Sequence, residues 1–272
     1  MAATALSSAT FPLWSGQVVA QPIFEWAGPY VGGSVGVAVG AGPATLSFPD
    51  SSGASYGVFF TGNVPHFDGA LDSLTAYTPW PTSAGLGDAG LVGTINAGYN
   101  FQIGGLVFGL EGDATGFGSH SAWNWHLSEP GGNTRISDLT VNGGLDSLFT
   151  IRPRVGIAVD RLLMYGTGGL ALGQASLQTS ASLDQDAGKG VANWSGSNSG
   201  WKSGFVVGAG AEYALTPRTT FKLEGLYYDL GSMSATATGQ GSWKGSPVTV
   251  EPYTATIKLT GTIVRAGLNV HF

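Results

Sequence analysis

Side chains in this chain alternate with a two-residue period, and the charges obey that alternation. In "LVFGLEGDATGF" (106–117), Leu106, Phe108 and Leu110 fall on one parity while Glu111 and Asp113 fall on the other. Successive strand side chains point to opposite faces of a sheet, so each such segment has an apolar face and a polar face. Following the parity through the strands, one side collects Phe108, Ile151, Val155, Phe205, Leu223, Val264, Leu268 and the terminal Phe272. The other collects Asn96, Asn100, Gln102, Asn269 and eight charges: Glu111, Asp113, Arg152, Arg154, Glu212, Lys222, Glu224 and Arg265. With four acids and four bases, the charged face is balanced.

A water-soluble sheet turns its apolar face inward, whereas a membrane barrel turns it to lipid and keeps the polar face for the lumen. Composition favours the second. Only 10% of residues are charged, against about 25% in ordinary soluble domains. No run reaches the roughly 20 apolar residues of a membrane helix, and almost no segment sustains a helical period. The 45 glycines have no three-residue repeat, which excludes collagen. A net charge of −6 argues against nucleic acid. The absence of cysteine excludes disulfides and thiolate metal sites.

The segments 29–40, 90–102, 106–117, 147–159, 162–177, 203–215, 220–232 and about 256–272 read as eight strands, with tight turns at 103–105, 160–161 and 216–217. The connections 42–88, 119–145, 179–201 and 234–255 are long and rich in Gly, Ser, Asn, Pro and Trp. Short turns at one end and long loops at the other are the asymmetry of outer-membrane barrels, with the short turns periplasmic. The expected fold is therefore all-β: an eight-stranded antiparallel up-and-down transmembrane β-barrel with four long extracellular loops. Eight strands leave an interior that side chains fill, and charges buried there must pair. Gly98, Gly109, Gly156, Gly208 and Gly210, on the charged face, are expected to give the long charged side chains room.

Residues 1–20, ending Val18-Val19-Ala20, read as a partial signal peptide or a disordered tail, and 26–272 as one barrel domain. Trp26, Tyr30, Tyr99, Tyr165, Trp201, Tyr227 and Tyr228 lie near strand ends, as in an aromatic girdle. Trp80, Trp123, Trp125, Trp194 and Trp243 fall in the connections, where such residues anchor interfaces.

Chemistry is scarce. His66, His120 and His126 lie in the connections without the spacing of a zinc site. His126, Asp138 and a loop serine are the one combination with the residue types of a hydrolase triad. "DQDAGKG" (184–190) has alternate oxygen ligands, but Ser195 stands where a calcium loop needs its closing glutamate. No catalytic residue, metal or cofactor is expected.

"WAGPYVGGSVGVAVG", "GYNFQIGGLVFGLEGD", "IRPRVGIAVDRLLMYGTGGLALG", "GAGAEYALTPRTTFKLEGLYYDLG" and "VRAGLNVHF" together resemble the successive strand motifs of the porin-like, opacity-protein-like outer-membrane surface antigens of alphaproteobacteria. The likeness spans every strand from 26 to 272. Ala27, Pro29 and the long first connection with "YTPWPTSAG" depart from the family pattern. The resemblance implies an integral outer-membrane protein with both termini periplasmic, surrounded by lipid and lipopolysaccharide. It also implies that Phe272 and its alternating predecessors form the signal for the barrel-assembly machinery. The expected role is a structural surface antigen with a filled polar lumen. The alternatives are a low-conductance porin for small solutes or ions, whose gate would be the eight lumen charges, and an adhesin or assembly partner acting through its extracellular loops.

Overall fold

The computed structural model describes residues 24–40, 43–48, 81, 83–86, 89–118, 120–129, 135–185, 189–248 and 250–272, with four short strands between 57 and 78. The N-terminal segment 1–20, Trp80, His66 and residues 186–188 of the acidic loop lie outside the described residues.

Eight long strands run in order: β1 (Gly28–Gly40), β2 (Ala89–Ile103), β3 (Leu106–Phe117), β4 (Arg135–Val159), β5 (Leu162–Gln185), β6 (Gly190–Ala214), β7 (Thr219–Trp243) and β8 (Tyr253–His271). Each pairs antiparallel with the next. β8 also pairs with β1, from Tyr30 opposite His271 to Gly40 opposite Gly261, and this closes the ring. The β2–β3 turn needs a left-handed residue and has Gly104, at φ 61°. The β4–β5 turn places Asp160 there at φ 51°, a conformation that Asp tolerates better than most residues.

The ring has two storeys. β1, β2 and β3 are 13, 15 and 12 residues long, whereas β4 to β7 reach 24 or 25. Since about 9–11 tilted residues cross a bilayer, the long strands continue well beyond one. Above the ends of the short strands the wall is continued by other segments. Ala44–Ser47 joins β8 and Ser83–Ala84 joins Ala44–Ser47, while Ser121–Glu129 joins β4.

Side chains alternate in and out through both storeys, but a register shift in β4 between Leu145 and Ser147 and one in β7 between Asp229 and Ser232 swap which parity faces inward, and between the storeys the polarity inverts. In the lower storey Val35, Ile95, Phe108, Ile151, Leu170 and Leu223 face outward, and charges face inward. In the upper storey Leu139, Val141, Leu177, Leu183, Ala235 and Ile257 are buried in a continuous apolar core, and Gln178, Ser180, Ser195 and Thr236 face outward. The lower part is built for lipid and the upper part for water, on the same strands.

This corrects the expected long loops. Much of 119–145, 179–201 and 234–255 is strand. Ser, Thr, Gln and Asn look like loop composition, yet here they alternate with Leu, Ala and Val and form the wet face of a sheet. The tryptophans expected to anchor partners go with it. Trp194 is buried, its Nε1 donating to the Glu251 carbonyl at 2.8 Å, and Trp123 and Trp125 are partly buried against the upper core.

The aromatic girdle is also smaller than expected. Tyr99, Trp201 and Tyr227 face outward, but Trp26, Tyr30, Tyr165 and Tyr228 are buried inside. Their parity places them in the lumen, where the Tyr30 and Tyr165 hydroxyls find carboxylates.

In the upper core, Leu177→Ala removes a fully buried side chain and is expected to cost about 2–5 kcal/mol. Leu170→Ala, on the outer face of the same strand, is expected to cost clearly less. Urea unfolding in detergent micelles, read by heat-modifiable gel mobility, measures both.

Candidate functional site: the charged layer of the lumen

Inward parity delivers one layer of charge from five strands. Glu111 and Asp113 come from β3, Arg152 and Arg154 from β4, Glu212 from β6, Lys222 and Glu224 from β7, and Arg265 from β8. Cross-strand register sets the neighbours: Glu111 is opposite Arg152, Glu212 opposite Lys222, and Glu224 opposite Arg265. All eight are buried.

Three carboxylates hold the centre. Glu111 accepts from Arg152 at 2.6 Å and from Lys222 Nζ at 3.0 Å. The Tyr30 hydroxyl donates to the same carboxylate at 2.8 Å. Glu224 accepts from Arg265 at 2.5 Å, and the Tyr165 hydroxyl donates to it at 3.0 Å. Asp113 Oδ2 receives Arg152 at 2.7 Å, Arg265 at 3.0 Å and the Thr150 hydroxyl at 2.9 Å. Arg152 and Arg265 thus each bridge Asp113 and Glu224, which ties β3, β4, β7 and β8 across the lumen.

The fourth acid belongs to a lower cluster. Glu212 accepts from Arg154 at 2.6 Å, from the Thr220 hydroxyl at 3.0 Å and from the Asn269 amide at 3.1 Å. The Arg154 guanidinium lies 4.5 Å from the Tyr30 ring centre and 5.0 Å from that of Tyr165, where cation–π attraction adds to the ion pair. Glycine makes this possible, though not as expected. A Cβ at Gly98 would fall on the Tyr30 ring and one at Gly210 on the Tyr165 ring, so these glycines clear space for aromatics. Gly109 fits the original expectation in part, since its Cβ would crowd Asn100 and stand 3.2 Å from Arg154 Cγ.

Sequence reasoning missed the floor of the lumen. Phe24 and Trp26, just ahead of β1, pack with Val107, Ala158, Leu163, Tyr165 and Ala214. The Trp26 backbone N–H donates to Gln102 Oε1 at 2.7 Å, and the Asn100 amide donates to the Trp26 carbonyl at 3.0 Å. His271 stacks on Tyr30 with ring centres 5.4 Å apart and meets the Trp26 ring edge-on at 6.0 Å. The signal for this floor lay in Asn100 and Gln102, amides on the inward face close to a turn.

Phe272 lies outside this layer. It is 75% exposed beyond the end of β8, its backbone N–H donating to the Pro29 carbonyl at 3.1 Å.

The triad types do meet, in an order that cannot work. His126 Nδ1 is 2.6 Å from Asp138 Oδ1, and Ser182 Oγ donates to Asp138 Oδ2 at 3.4 Å. The acid lies between serine and histidine, whereas a nucleophilic serine needs the histidine beside it as base.

Arg265→Met strips a cation from Asp113 and Glu224 and is expected to cost about 3–5 kcal/mol. Combining it with Glu224→Gln is expected to recover part of that loss, and a urea-denaturation double-mutant cycle reads the coupling.

Residues 7–272 match the family described as outer membrane protein beta-barrel domain. The chain is 32% identical over 282 residues to the 31 kDa outer-membrane immunogenic protein of Brucella melitensis, covering 100% of this chain and 98% of that protein. It is 29% identical over 147 residues to the 22 kDa outer membrane protein of Rhizobium leguminosarum, covering 53% of this chain and 54% of that protein. Among solved structures it is similar to Ail, the attachment invasion locus protein of Yersinia pestis, at 12% identity and a TM-score of 0.31, over 91% of this chain and 100% of that one. The resemblance read from the strand motifs agrees with the Brucella and Rhizobium relatives. With the match running from residue 7 to the last residue, and a relative 32% identical from end to end, the chain belongs to the outer-membrane β-barrel protein family.

Proposed function

We propose that this protein is a closed, non-catalytic barrel that presents a rigid surface-exposed wall, a surface antigen like its relatives in Brucella. One observation carries this: packed side chains cross the interior at three levels, leaving between the charges and the apolar core a cavity of only about 80 Å³ beside Ala38, Leu145 and Tyr228. Phe24 and Trp26 form the floor, the eight charges the middle, and the apolar core the roof. A barrel of eight strands has just enough interior for side chains, while open aqueous channels belong to barrels of about sixteen.

In this reading residues 26–272 form one domain that spans the membrane. The tight turns at 104–105 and 160–161, the turn at 215–218, and both termini face the periplasm, and the upper storey stands outside. The apolar core above the charged layer supports that orientation, because long strands and connections belong on the extracellular side of such barrels. The partners are membrane lipid, lipopolysaccharide and the assembly machinery. Phe272, exposed at the end of β8, is available to that machinery as its recognition residue. The eight lumen charges act as a structural lock.

In planar bilayers the wild type, Arg154→Ala and Glu212→Ala are all expected to stay silent while remaining folded and heat-modifiable. Discrete openings enlarged by either substitution would replace this reading with a gated pore. For Phe272→Ser, the amount of folded protein in the outer membrane is expected to fall severalfold while refolding of the purified chain in detergent is unchanged. Loss of refolding in detergent would instead make Phe272 a stability residue.

A further inference from the structure

The outward face of the upper storey is built of hydroxyls and amides almost to the exclusion of charge. On β5 the outward positions run Gln174, Ser176, Gln178, Ser180 and Ser182, and on β6 they run Asn193, Ser195, Ser197 and Ser199. Register sets them in rows: Asn142, Gln178 and Ser197 are paired across three strands, as are Thr140, Ser180 and Ser195. A shallow groove of about 440 Å³ crosses β4, β5 and β6 and is lined by those six residues with Thr179 and Gly196.

Contact with water alone accounts poorly for this composition. Soluble surfaces draw roughly a quarter or more of their residues from Lys, Arg, Glu and Asp, and the groove has none. One row higher, the His126–Asp138 pair ends the neutral field. Below it a second pair, His120 Nε2 with Asp146 Oδ1 at 2.8 Å, stands on the β4 side, and on the same three strands Phe149, Leu172 and Trp201 are exposed at the top of the apolar belt. The neutral groove therefore lies a few residues above the lipid-facing belt, with a His–Asp pair at its lower and its upper margin on the β4 side. In the outer leaflet of an outer membrane, that level is occupied by the sugars of lipopolysaccharide.

We propose that this groove binds the neutral saccharide chains of the surrounding lipopolysaccharide. A rigid sheet holds its donors and acceptors in rows about 4.8 Å apart from strand to strand, so little has to be ordered on binding. Ser, Thr, Asn and Gln each offer both a donor and an acceptor, and the sugar hydroxyls they meet do the same. The groove itself offers phosphate no cation from Lys or Arg, and the Asp138 and Asp146 carboxylates stand at its margins, so it selects for the sugar over the lipid headgroup. The proposal rests on the orientation given above, in which the upper storey lies outside the membrane.

Two measurements separate the orientation from the binding. The chain has no cysteine, so Asn193→Cys carries the sole thiol. Its labelling by an impermeant maleimide on intact cells is expected, and no labelling would overturn the orientation. For binding, the probe is the lipid-free polysaccharide released by mild acid from lipopolysaccharide of the host outer membrane, titrated calorimetrically into the full-length barrel in detergent. The wild type is expected to bind. The triple variant Asn142→Ala, Gln178→Ala, Ser197→Ala is expected to bind at least tenfold more weakly while keeping its heat-modifiable mobility. Thr254→Ala with Thr256→Ala, outside the groove on β8, is expected to leave binding unchanged. No binding by the wild type, equal binding by the triple variant, or binding abolished by added salt would each overturn saccharide recognition by this groove.

Discussion

The ion-pair layer around Glu111, Asp113 and Glu224 is the interaction on which the lower storey depends. In a small barrel the lumen has no room for bulk water, so each charge must be answered by another protein group or it costs several kcal/mol. The answer here is collective. Arg152 and Arg265 each reach both Asp113 and Glu224, so neither acid relies on one partner. Tyrosine hydroxyls and threonines take remaining lone pairs. Because the bridging groups come from strands far apart in the chain, the layer is complete only when β8 has closed against β1 and β7. It couples ring closure to electrostatic satisfaction.

The inversion of polarity along unbroken strands is the second organising fact. Pairing runs without a shift between β5 and β6, while β4 and β7 each carry a register shift at the level where the storeys meet, between Leu145 and Ser147 and between Asp229 and Ser232. Side-chain polarity marks the same level. Below it the outward residues are apolar and the inward ones charged. Above it the outward positions carry Ser and Gln and the inward ones Leu and Ala. One strand thus serves as a membrane strand and as a strand of a water-exposed sheet, and the upper core of Leu139, Leu177, Trp194 and Ile257 is of the ordinary soluble kind.

The floor of Phe24, Trp26 and His271 joins the segment before the first strand to the end of the last. Together with the register of Tyr30 opposite His271, it places the final closing contact at the turn-bearing end of the ring. The charged layer above and the apolar core beyond are two further levels at which packed side chains cross the ring.

Parity was legible in the sequence because a strand alternates its faces by local geometry, whatever the rest of the chain does. That put all eight charges, Asn96, Asn100 and Asn269 on the inner face before any fold was known. Strand lengths in 119–145, 179–201 and 234–255 are not legible in the sequence, because Ser, Thr, Gln and Asn outside with small apolar residues inside have the composition of loops and lack the apolar outer face of a lipid-facing strand. Tyr30, Tyr165 and Tyr228 were misplaced for a related reason: proximity to a strand end says nothing about which face a ring takes. What the sequence determined alone was the alternation, the balance of the inner charges and the family motifs. Only the tertiary structure decided which acid meets which base, which glycines yield to tyrosine rings, and where the polarity inverts. Those facts depend on register around a closed ring, which brings Glu111 to Lys222 and Thr94 to Arg265 across more than a hundred residues of chain.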